Sequence, residues 1–260
     1  MENEKTALIV EGGGQRGVFS FGITDTFIKR KYDPFDIYIG VSNGVAVLYW
    51  YLIRETDNNL EKMLYAASGD YFSYKNIFTR KDIFKVHQMY TDGEKKFRPN
   101  IEKIKNNLNK KNYIAVVTDA INANAEYYSF GESEWMPKMI ASGTLPILVR
   151  TPSLINGRRK FDGGIADPLP VEKAYEMGAK KIVVIRTYEK KFRRKLKLEN
   201  YIGALLSREY PKLRRALLNH DKTYNKALEF IKNPPEDCEI IQLCPPEKLN
   251  SKRDSKNIEL

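Results

Sequence analysis

Ser42 is the residue from which chemistry can start. It stands in Gly40-Val41-Ser42-Asn43-Gly44, between the apolar runs Ile37-Tyr38-Ile39 and Val45-Ala46-Val47-Leu48-Tyr49-Trp50. That order predicts strand, tight turn and helix, and Gly-x-Ser-x-Gly is the elbow that pushes a serine hydroxyl out at the top of a sheet. Gly40 and Gly44 flank it because a side chain would clash where strand and helix almost touch. A serine so placed can attack a carbonyl if a base takes its proton and donors hold the oxyanion that forms.

Donors are available in Gly12-Gly13-Gly14-Gln15-Arg16-Gly17, which follows the apolar run Ala7-Leu8-Ile9-Val10. Read formally, this is the dinucleotide fingerprint Gly-x-Gly-x-x-Gly. A ribose-binding acid should then end the next strand, but Asp36 precedes that strand and the Ser42 turn occupies its end. The better use of the loop is to aim backbone N–H groups of Gly12, Gly13 and Gly14 at an anion, helped by the positive end of the following helix. Arg16 serves either this loop or a substrate head group.

The base is less obvious. The two histidines, His87 and His220, read as surface or packing residues, the latter in a basic C-terminal helix beside Asp221. Asp162 lies in Asp162-Gly163-Gly164 after Arg159-Lys160-Phe161, at a turn from which a carboxylate can reach into a cleft.

The elements that must position these groups follow from periodicity. The first 55 residues read strand, loop, helix, strand, loop, helix, the opening of a parallel α/β sheet. Tyr113 to Thr118 reads as a central strand with Glu126 to Phe130 pairing beside it, and Leu145 to Val149 as extended. A helix from Val171 to Met177 and a strand from Lys181 to Arg186 add another α/β unit. Between residues 57 and 110, helices are expected at Leu60–Ala67 and Ile101–Leu108. The aromatic stretch around Tyr71-Phe72-Ser73-Tyr74 and Ile77-Phe78 is read as packing or as a wall for an acyl chain. Beyond Tyr188 the chain turns basic, with one or two helices over Tyr201–Ile231 and a late strand at Glu239–Cys244.

With 260 residues and 42% hydrophobic residues, the chain can bury a sizeable core. Its start lacks the features of a secretory signal, no apolar run reaches the ~20 residues of a membrane span, and a soluble, cytoplasmic protein is expected. Cys238 and Cys244 would stand about 20 Å apart on one strand, too far for a disulfide. The formal charge of +11 fits nucleic acid, an anionic lipid surface or solubility alone, and by itself does not choose among them. Nucleic acid is not expected, since no zinc-finger spacing, RNP-like motif or recognition helix is present. No cofactor or metal is called for.

The order Gly-Gly-Gly-x-Arg-Gly, Gly-x-Ser-x-Gly, Asp-Gly-Gly resembles the patatin-like phospholipase family of bacterial type, from about Ala7 to Arg186. Phe161-Asp162-Gly163-Gly164-Ile165-Ala166-Asp167-Pro168 and Ala141-Ser142-Gly143-Thr144-Leu145-Pro146 extend the likeness. The resemblance implies a three-layer α/β/α sandwich around a mainly parallel sheet, and a Ser–Asp dyad without histidine acting on lipid acyl esters. Ser42 would be the nucleophile, Asp162 the proton acceptor and Gly12–Gly14 the oxyanion hole, with Arg16, Gly17, Gly40, Gly44, Gly163 and Gly164 in support. Asn43 departs from the small residues common at that place and would make the pocket narrower or more polar. Residues 1–188 would form the catalytic domain and 189–260 a basic, mostly helical extension. The rivals are an α/β-hydrolase-like esterase with a Ser42–Asp162–His220 triad, and a basic lipid- or nucleic-acid-binding module without chemistry. The elbow's place on the second strand disfavours the triad fold.

Overall fold

The computed structural model describes residues 4–55, 59–67, 71–73, 75–76, 79, 81–131 and 134–249. Their strands are β1 (Lys5–Val10), β2 (Ile37–Val41), β3 (Asn112–Asp119), β4 (Ala125–Ser129), β5 (Ser153–Ile155), β6 (Arg158–Asp162), β7 (Ala179–Ile185) and β8 (Glu239–Leu243). All join one sheet in the order β5-β6-β3-β2-β1-β7-β8, with β4 also paired to β3. From β3 through β8 the neighbours run parallel. β4, β5 and β6 complete the far edge in antiparallel fashion.

The helices are α1 (Val18–Lys29), α2 (Asn43–Ile53), α3 (Asn59–Ala67), α4 (Val86–Phe97) and α5 (Ile101–Leu108). They continue with α6 (Met136–Ser142), α7 (Val171–Glu176), α8 (Leu198–Leu206), α9 (Pro211–Leu218) and α10 (His220–Lys232). Alternation along each strand sorts its residues between two layers. Leu8 and Val10 of β1 face α1, α2 and α5 through Phe21, Leu48 and Ile104, whereas Ala7 and Ile9 face α7 and α10 through Val171, Ala174 and Leu228. Both faces of the central strands are covered, so Ala7 to Val10 are fully buried. The result is the three-layer α/β/α sandwich expected.

Several local expectations change. Leu145 to Val149 is a turn, closed by Leu148 and Val149 N–H groups donating to the Leu145 carbonyl, with Pro146 between them. The segment Tyr201–Ile231 falls in three helices rather than one or two, broken before Pro211 and at Asn219. The 12-residue α4 has no counterpart in the sequence reading, and His87 is exposed on it. In the aromatic stretch, Tyr74, Ile77 and Phe78 lie outside the described residues, while Phe72 stacks on Phe84. Cys238 and Cys244 are free thiols. Among the described residues no helix is long and apolar enough to cross a membrane.

β1 leads to β2 and β3 on one side, and β7 lies on its other side. Such a reversal of strand order opens a crevice at the carboxyl ends of the strands. The loops after β1 and β2 carry the two glycine motifs to that edge.

Candidate active site

Ser42 ends β2 and caps α2 with φ 54° and ψ −127°. A serine pays about 1–3 kcal/mol for such a backbone, so the surroundings must impose it. They do so from three sides. A Cβ on Gly40 would come within 2.6 Å of the Val45 backbone, and one on Gly44 within 2.1 Å of the Val10 carbonyl oxygen. The Ser42 N–H donates to Ser142 Oγ at 2.8 Å, and that hydroxyl donates to the Val116 carbonyl at 2.7 Å. The elbow is thereby tied through buried Ser142 to β3.

The glycine loop packs directly against it. A Cβ on Gly12 would stand 2.8 Å from Ser42 Cβ and 2.9 Å from the Val41 carbonyl oxygen. Among the described residues, the N–H groups of Gly12 and Gly13 have no protein acceptor. Asn43 explains its own departure from a small residue: its side-chain amide donates to the Gly14 carbonyl at 3.0 Å and fills the space over Gly17. It ties elbow to loop.

Asp162 ends β6, opposite Val117 of β3, while Val41 is opposite Val116. Ser42 and Asp162 thus leave strands two spacings apart, about 9–10 Å at the backbone. Asp162 is 3% exposed, and its Oδ1 accepts from the Gly164 N–H at 2.8 Å. Gly163 has to be glycine, since a Cβ there would meet the Val116 carbonyl oxygen at 2.1 Å. Ser42, Asp162, Gly12–Gly14 and His220 all line one cavity of about 1250 Å³, open mouth included.

A family model described as patatin-like phospholipase matches residues 8–175, which take in both glycine motifs and Asp162. The chain belongs to the patatin-like phospholipase family. A second model, the domain of unknown function DUF6363, matches 210–259. The curated "Uncharacterized protein YjjU" of Escherichia coli strain K12 is 26% identical over 257 residues, covering 95% of this chain and 70% of that protein. VipD from Legionella pneumophila aligns with a TM-score of 0.42 at 15% identity, over 96% of this chain and 63% of VipD, so the chain spans less than two thirds of it.

In this patatin-like chain the glycine loop is also held from below, by residues the sequence reading did not single out. Glu11, 3% exposed, immediately precedes Gly12. Its carboxylate accepts from the Thr187 N–H at 2.6 Å and from the Tyr224 hydroxyl at 2.6 Å. Thr187 Oγ1 donates to the Gly12 carbonyl at 3.0 Å, and buried Arg186 stands 3.4 Å from the Tyr224 hydroxyl. Burial, followed by the Glu11 charge, pushes the Tyr224 phenol well above its ordinary range, so it stays a donor. The signal was present: an acid between a buried strand and a glycine loop calls for partners.

The cavity lining is mixed in character. Met63, Phe72, Phe84, Met89 and Leu148 make part of it apolar, and a second, mostly apolar cavity of about 580 Å³ shares Asn43, Met63, Ala66, Met89 and Tyr90 with the first. Tyr90 is kept protonated by burial and, next, by the charge of Asp162. The lining also holds Arg16, stacked 4.3 Å from the Tyr188 ring centre, and Arg194, 4.5 Å from that of Tyr224. Arg194 is 8% exposed, and its Nε has no hydrogen-bond partner among the described residues.

Proposed function

We propose that this protein is a serine acyl hydrolase that cleaves lipid esters with Ser42 as nucleophile and Asp162 as its base. The observation that carries the reading is the meeting of a strained Ser42 with the Gly12 backbone on one side of a cavity that Asp162 also lines. Asp162 takes the Ser42 proton as Oγ bonds to the ester carbonyl carbon. The N–H groups of Gly12 and Gly13 hold the oxyanion, each such donor being worth about 3–4 kcal/mol of barrier. Collapse of the tetrahedral adduct expels the alcohol, which takes the proton from Asp162. Water, deprotonated by Asp162, then attacks the acyl-serine and releases the fatty acid and Ser42.

The lining indicates the substrate. The apolar lining and its continuation suit an acyl chain, and Arg194 in the same lining suits an anionic head group. Residues 1–188 act as the catalytic unit in this reading, and 189–260 as an extension that completes it through Tyr224 and Arg194.

Labelling with a fluorophosphonate probe, together with hydrolysis of a lipid panel, tests the proposal. Wild type should be labelled and active, Ser42→Ala neither. Absence of labelling in the intact wild type, or equal labelling of Ser42→Ala, overturns it. One observation favours the triad as a second reading: His220 lines the same cavity.

A further inference from the structure

Helix α8 is turned inside out. Successive helical residues rotate by about 100°, which places Leu198, Tyr201, Leu205 and Leu206 along one side of it. That side faces solvent: the four are 74%, 53%, 50% and 38% exposed, and half-buried Ile202 lies among them. The inward side carries small and polar residues instead. Gly203 and Asn200 pack on Leu217 of α9, and Glu199, Asn200 and Gly203 line the cavity that holds Ser42. An ordinary surface helix buries its apolar stripe and exposes its polar face. Here a contiguous apolar strip is left uncovered beside the cavity, and such strips mark interaction sites.

The charge around the strip says what covers it. Between Lys190 and Arg215 the chain has ten Lys and Arg residues against two acids, Glu199 and Glu209. Lys195 and Lys197 lead into α8 and Arg208 and Lys212 follow it, all exposed. A second copy of this chain would bring the same basic segments face to face, which is repulsive. An anionic bilayer offers a complement to both features, acyl chains for the apolar strip and negative head groups for the basic flanks.

We infer that α8 is a membrane-docking element, its Leu198–Leu206 strip seated in the interface of an anionic lipid surface and its other side forming part of the cavity wall. Docking in this orientation brings the cavity next to lipid without any membrane-spanning segment. The inference does not depend on the hydrolase reading, because binding is measured without turnover.

The test is co-sedimentation of the full chain with phosphatidylcholine vesicles, with and without phosphatidylglycerol, over a salt series. Wild type should bind the anionic vesicles at least about tenfold better than the neutral ones, and less well as salt screens the basic flanks. Leu198→Ser combined with Leu205→Ser should weaken binding at least about tenfold at unchanged melting temperature, since both side chains are exposed. Lys195→Glu combined with Lys197→Glu should remove the preference for anionic vesicles. Ile101→Ser, an exposed apolar position on α5, which packs against α2, should leave binding as it was. Failure of wild type to bind anionic vesicles, or wild-type binding by the Leu198/Leu205 variant, overturns the inference. So does a wild-type dimer in sedimentation velocity that this variant breaks, because a second copy would then cover the strip. Loss of esterase activity in Ser42→Ala with vesicle binding retained would separate docking from chemistry.

Discussion

The hydroxyl of Tyr224 donates to Glu11 Oε1 over 2.6 Å, joining residues 213 positions apart. Glu11 is the residue before Gly12, so α10 supports the loop that packs against Ser42. The C-terminal helix α10 therefore bears on the geometry of the candidate site and not only on the surface.

Tyr224→Phe should lower kcat more than it raises KM. It removes one of the donors to a buried carboxylate, an effect of about 1–3 kcal/mol on a group that cannot reach water. The measurement is steady-state kinetics beside thermal melting. A variant less stable but with unchanged kcat would mean that Tyr224 only holds the fold.

Gly12→Ala and Gly44→Ala should fail in different ways. At Gly12 the added methyl meets the Ser42 side chain and the Val41 carbonyl at 2.8 and 2.9 Å. The chain should fold, with kcat reduced by about 10²-fold or more as the loop is pushed away from the oxyanion. At Gly44 the methyl meets the Val10 carbonyl at 2.1 Å, which forces β1 and α2 apart. Loss of melting temperature, rather than of kcat alone, is the expected readout there.

Asp162→Asn and His220→Ala divide the dyad from the triad. With Asp162 as base, Asp162→Asn loses turnover by about 10²–10⁴-fold and His220→Ala keeps most of it. Comparable losses in both variants, on protein that melts like wild type, would favour the triad.

Asp167 should make the fold pH-dependent. Burial, with the charge of Glu172 added, outweighs the hydrogen bond from the Tyr127 hydroxyl and pushes its carboxyl up to about 6. The folded state thus holds a proton that the unfolded state has already released, and stability falls as pH rises from about 4 to 6. The full effect is at most about 3 kcal/mol. Asp167→Asn should remove that slope in urea melts taken across this range, and an unchanged slope would assign it to other groups.

Arg194→Gln should narrow the gap between anionic and neutral esters. A guanidinium only 8% exposed, with an unpartnered Nε, has lost water without gaining a carboxylate, and a phosphate in the cavity restores the pairing. The check is the ratio of kcat/KM for a lysophospholipid with a phosphate monoester head to that for a monoacylglycerol. Arg193→Gln, an exposed neighbour of the same charge, should leave the ratio as it is in wild type. A ratio unaffected in Arg194→Gln would mean that the head group is read elsewhere.

What the sequence determined was local. Apolar runs of strand length, glycine turns and helical spacing around Gly12–Gly17, Gly40–Gly44 and Asp162–Gly164 are dictated by sterics within a few residues. The two α/β units and the motif order could therefore be read directly, and the motif order led to the family. Tertiary structure alone decided which distant groups meet. Ser142 reaches the Ser42 N–H from 100 positions away, and Tyr224 and Thr187 reach Glu11 from 213 and 176. None of these leaves a periodic signal, because a hydrogen-bond partner needs one atom in one place and no pattern along the chain. For α8 the sequence predicted a helix and not the direction of its apolar side. An apolar stripe looks the same in sequence whether it faces a core or solvent, and only the packing of Asn200 and Gly203 on α9 turns it outwards. The elbow was thus legible as a serine that could attack; its backbone strain, its supports and the apolar lining around it belong to the fold.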